Sequence, residues 1–114
     1  MVNVTGPVID LSTFTELQET AGAEFVTELV GTFLGEAPGM LAQMRRAQEA
    51  GAADTFRRAA HSIKSNSHTF GATRLGALAR DLELGGLIPE SGPLDALEAE
   101  YQRVAFALQG LCGG

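Results

Sequence analysis

Five cationic or imidazole side chains and a run of small polar ones crowd the middle of this chain. His61 is followed by Lys64 and Ser65 one helical turn on and by His68 two turns on, with Arg57 and Arg58 one turn back. A neutral imidazole is a nucleophile near neutral pH. Fixed cations beside it favour a reacting group that carries spread negative charge. The spacing matters because the same stretch reads as a helix. Phe56, Ala60, Ile63, Ser67 and Phe70 repeat at steps of 4, 3, 4 and 3, which is one buried face. His61 stands one residue past Ala60, so it is turned about 100° off that face and toward solvent.

The elements that position these groups form a helical hairpin. Asp54 stands where an N-cap is expected. Gly71 ends the first helix, because glycine enters the left-handed conformation without steric cost. Leu75, Leu78, Ala79 and Leu82 mark the buried stripe of a second helix. His61 lies ten residues before Gly71 and Glu83 twelve after it, so an antiparallel hairpin brings them face to face. Glu83 is then placed to accept from the imidazole Nδ1–H and leave Nε2 free.

The segment resembles the histidine-containing phosphotransfer (HPt) domains of bacterial multistep phosphorelays. Their pattern runs A-H-x-hydrophobic-K-G-x-S-x-x-hydrophobic-G-A-x-x-L, then a leucine-rich stripe ending in L-E. Ala60, His61, Ile63, Lys64, Ser67, Phe70, Gly71, Ala72, Leu75, Leu82 and Glu83 match it. Ser65 departs from it, putting a hydroxymethyl group where the family has glycine. The resemblance implies that His61 accepts a phosphoryl group from a receiver-domain aspartate and that Lys64 contacts the phosphate. Arg57 and Arg58 add positive charge, and Ser65 keeps the surface low enough for a partner. It further implies a docking surface of Ser62, Ser65, Gly71 and Ala72, with His68 at the rim and Phe14 or Leu17 of a short first helix as apolar contacts. The implied partners are response-regulator receiver domains and a hybrid histidine kinase. No cofactor is expected on this chain, and Mg²⁺ only on the partner receiver. Two other readings share the hairpin: a helical interaction domain that relays nothing, and the phosphate-accepting domain of a chemotaxis-type kinase.

The rest of the chain fits one all-α domain over residues 1–114. Thr5-Gly6-Pro7 reads as a turn within a loose lead-in over 1–9. Asp10 or Ser12 caps a short helix carrying Leu11, Phe14 and Leu17, which Gly22 ends. Phe25, Val26, Leu29, Val30 and Phe33 predict a helix of roughly a dozen residues. Gly35 and Pro38 predict an interruption and a new start or a kink at 36–38, since proline lacks the N–H that a helix interior needs. Met40, Leu41, Met44 and Ala47 continue to Gly51. Gly85-Gly86 closes the second hairpin helix, and residues 89–93 read as a loop. Leu94, Leu97, Tyr101, Val104, Leu108 and Leu111 form a bundle seam, ahead of a frayed tail at 112–114. The expected architecture is an antiparallel four-helix bundle with a short extra N-terminal helix.

Composition narrows the function. With 114 residues and 45 % apolar content the chain can bury a core, built from aliphatic side chains and six phenylalanines in the absence of tryptophan. A net charge of −6 argues against nucleic acid. No apolar run is long enough to span a membrane, no secretory leader is evident, and the lone Cys112 permits no internal disulfide. A cytoplasmic monomer is expected. No glycine-rich nucleotide loop of the G-x-x-x-x-G-K-[ST] kind is present, so a phosphoryl carrier without ATP binding or autokinase activity is expected rather than an enzyme.

Overall fold

The computed structural model describes residues 8–87 and 89–113. Five helices and no strand occur among them: α1 Leu11–Ala21, α2 Ala23–Ala50, α3 Ala53–Phe70, α4 Thr73–Gly85 and α5 Gly92–Gly113. Helices α2 to α5 close a ring in which each packs on its sequence neighbours and α2 meets α5, while α1 leans on α2 and α3. The result is the expected all-α bundle with a short first helix. Phe33, Phe56, Phe70, Met44, Ile63, Leu75, Leu97 and Leu108 fill its centre. The Phe33 ring meets Phe70 at 5.7 Å and the edge of Tyr101 at 6.0 Å between centroids, tying α2, α3 and α5 together.

Helix ends follow their glycines and one acid. The carboxylate of Asp10 accepts from the Ser12 backbone N–H at 3.1 Å and caps α1. Gly71 (φ 82°) ends α3 with the Ala72 N–H donating to the Ser67 carbonyl at 2.8 Å, a Schellman closure that reverses the chain within two residues. The Asp10 N–H donates to the Gly71 carbonyl at 2.8 Å, so the lead-in is bolted onto this turn. A Cβ at Gly71 would stand 2.8 Å from the Asp10 carbonyl oxygen. Glycine is required there on both counts.

Several expectations change. Asp54 does not cap α3: the helix starts at Ala53 with Ala52 in the cap position, because the left-handed Gly51 delivers the chain already turned. Pro38 neither ends nor restarts a helix; α2 runs on from Ala23 to Ala50. Proline removes the bond that would reach the carbonyl of Leu34, four residues earlier. The Tyr101 hydroxyl donates to that same carbonyl at 3.3 Å. Burial pushes the Tyr101 phenol up, so the donor proton is retained. An expected helix break is thus bridged from α5. Pro93 lies in the first turn of α5 rather than in a loop. Ile9, expected to be loosely held, is buried at the core edge. Cys112, assigned to a frayed tail, is half-buried in α5. The expected turn at Thr5-Gly6-Pro7 lies outside the described residues.

Candidate functional site

The two hairpin helices run antiparallel in a register set by Gly71. That register places His68 against Gly76 and, two turns further from the turn, His61 against Glu83. A Cβ at Gly76 would stand 2.8 Å from Cδ2 and Nε2 of His68, so the histidine ring rests directly on α4. The His61 Nδ1 lies 2.8 Å from Glu83 Oε2. A carboxylate can only accept, so Nδ1 carries the proton, and in the neutral form of the ring Nε2 holds the lone pair. The His61 side chain is 56 % exposed while that of Glu83 is 13 % exposed, so an exposed imidazole stands on a sheltered anchor.

Lys64 shares that anchor. Its Nζ lies 2.9 Å from Glu83 Oε1, an ion pair whose angles fall short of a directed hydrogen bond. Lys64, and after it His61, hold the Glu83 carboxyl below the ordinary carboxylate range. Glu83 is therefore an anion with one oxygen on each of two neighbours. Lys64, expected to be free for phosphate, is engaged beside the ring. Arg57 and Arg58 are engaged too. Arg57 Nη2 lies 2.6 Å from Asp54 Oδ1, and Arg58 Nε 3.1 Å from Asp54 Oδ2. These pairs are exposed and weakly held.

The surface around His61 consists of exposed Ser65 and His68 with half-buried Ser62. Three expected docking residues fall away from it. Phe14 is 2 % exposed and belongs to the core under α1. Gly71 is buried at its contact with the Asp10 segment, and Ala72 beside it is buried as well. Leu17 is half-buried, and Leu11 rather than Phe14 is the exposed apolar residue of α1.

The sequence reading missed a shallow depression between α2 and α3, lined by Met40, Gln43, Thr55, Arg58, Ala59 and Ser62. Its signal was present: Thr55, Arg58, Ala59 and Ser62 recur at i, i+3, i+4 and i+7, a second face of α3 beside the buried one. Among the described residues no group of three His, Cys, Asp or Glu side chains could hold a metal ion, and no helix is long and apolar enough to cross a membrane.

Compared with known proteins, residues 28–107 match a family model, that of the Hpt domain. Neither a curated relative nor a solved structure matches the chain significantly.

Proposed function

The chain belongs to the Hpt domain family, whose members carry phosphoryl groups on histidine in phosphorelays, and from that premise we propose that His61 is its phosphoacceptor. One observation carries the reading. Nδ1 of the ring lies 2.8 Å from a sheltered carboxylate oxygen while the His61 side chain is more than half exposed.

The step follows from that geometry. Nε2 attacks the phosphorus of a receiver's aspartyl phosphate; the N–P bond forms, the P–O bond to the carboxyl breaks, and the aspartate carboxylate leaves. The ring keeps its Nδ1 proton and becomes a phosphorylated imidazolium, whose positive charge faces Glu83. Running the step backwards onto a second receiver completes a relay. Catalysis on this side is placement and charge. The receiver supplies Mg²⁺ and the acyl phosphate, so this chain needs no cofactor of its own and acts as a carrier, in the cytoplasm where receivers are found. The competing reading, a helical module that binds without relaying, leaves the exposed and tautomer-fixed imidazole without a purpose.

The test is label transfer from a panel of phosphorylated receiver domains. His61→Gln should keep the fold, because the ring lies outside the core, and lose all labelling. The label on the natural chain should be acid-labile and alkali-stable, as a P–N bond is. Full labelling of the His61→Gln chain, or equal loss in His68→Gln, defeats the assignment.

A further inference from the structure

The two sides of the His61 ring differ. Seen down α3 with His61 at zero and 100° per residue, Arg57 lies about 40° and Lys64 about 60° to one side. Ser65 lies about 40°, Arg58 about 60° and Ser62 about 100° to the other. The α4 helix covers the first side, since Glu83 meets both Lys64 and Nδ1 there. The α2 helix borders the second, where Arg58 and Ser62 line the open depression with Met40 and Gln43. The two nitrogens of an imidazole point in nearly opposite directions. With Nδ1 turned to Glu83, Nε2 is turned away from that contact with α4.

We propose that Arg58 is the phosphate-binding cation of this site and that Lys64 is a positioning residue acting through Glu83. The inference rests on His61 being the acceptor, but goes further in assigning the phosphoryl group a side. On the α4 side, Lys64 is bound to the carboxylate that holds the ring, and leaving it would strip Glu83 of its principal counter-charge. On the α2 side, Arg58 is 71 % exposed and held only by Asp54, an exposed i,i+4 pair of small worth. Swinging from Asp54 to the phosphoryl oxygens exchanges one anion for a more highly charged one. A guanidinium can meet two of those oxygens at once. Arg57, one residue away, has the same charge and the same partner but faces the α4 side.

The experiment compares Arg58→Ala, Arg57→Ala and Arg58→Lys in the full chain, using phosphoramidate as a small donor and ³¹P NMR to follow the P–N signal. Loss of one charge-assisted contact should slow Arg58→Ala about tenfold, with Arg57→Ala within about twofold of the natural chain and Arg58→Lys between them. The pH midpoint of the rate should not move in Arg58→Ala, because the ring keeps its Glu83 anchor, whereas Lys64→Ala, which disturbs that anchor, should move it. Equal slowing by the two arginine variants, an unchanged rate in Arg58→Ala, or a displaced midpoint in Arg58→Ala overturns the proposal. No P–N signal in the natural chain, or its persistence in His61→Gln, instead overturns the acceptor assignment beneath it.

Discussion

The α3/α4 pair and the α2/α5 pair are opposite edges of one ring of helices, and they solve the same problem differently. Both must hold two antiparallel helices in register. In α3/α4 a two-residue reversal at Gly71 fixes the register locally, and every polar group set along the edge then falls opposite a predictable partner: His68 over Gly76, His61 over Glu83. In α2/α5 the partners lie far apart in the chain, and register comes from a few long-range contacts. Tyr101 reaches the carbonyl orphaned by Pro38, and Arg45 reaches Asp95 and Glu98. The first edge exposes an imidazole anchored on a sheltered carboxylate, while the second leaves Phe106 81 % exposed. A tight turn gives the precision that a reacting group needs; long-range contacts give cohesion. The proposed chemistry at His61 accordingly sits on the hairpin.

The largest effect should come from breaking the turn. Gly71→Val forces a β-branched residue into the left-handed region and drives its Cβ onto the Asp10 carbonyl. We expect a loss of about 3 kcal/mol, read as a lowered urea midpoint, together with a marked fall in label transfer as the His61–Glu83 register slips. Unchanged transfer in a destabilised chain would separate the site from the turn and remove the contrast between the edges.

A smaller effect is expected from the opposite edge. Tyr101→Phe keeps the ring and its packing on Phe33 but leaves the Leu34 carbonyl without its donor. The cost should be about 1 kcal/mol of stability, with the rate of transfer unaltered. A slower rate would show that the α2/α5 edge reaches the site after all.

These edges also mark where the sequence was legible. Glu83 was found as the partner of His61 because both are counted from one glycine, and counting residues is reliable across a two-residue turn. The ion pair of Lys64 with Glu83 was not legible, because an i+3 position on a helix edge is equally near a docking partner and the neighbouring helix. Pro38 was read as a new start or a kink because the hydroxyl that serves the freed Leu34 carbonyl comes from Tyr101, 67 residues on from Leu34 and beyond any local pattern. Asp54 resembled a cap because acids favour first turns as well as caps, and here it stands inside the helix holding two arginines. Phe14 was offered to a partner because an amphipathic stripe reveals which face is apolar and not what covers it.

The smallest expected effect sharpens the contrast through pH. Glu83 and Asp54 are both carboxylates held below their ordinary range by neighbouring cations: Lys64 then His61 for Glu83, Arg57 then Arg58 for Asp54. A carboxyl depressed in the folded state binds its proton less readily than in the unfolded chain. Its stabilisation is complete above the unfolded value, near ~4.3 for glutamate, and is lost as pH falls through the lower folded value. Stability should therefore decline on the acid side in part because these two groups protonate. Glu83→Gln should flatten that limb when urea midpoints are followed from neutral pH down to about 3. Asp54→Asn should flatten it less, because the Asp54 side chain is 63 % exposed and its pairs are screened by solvent. Tyr101→Phe should lower the whole curve without changing its slope, since a phenol does not titrate in acid. An acid limb equally steep in Glu83→Gln would mean that the sheltered anchor of His61 contributes to orientation alone and nothing to the stability of the hairpin.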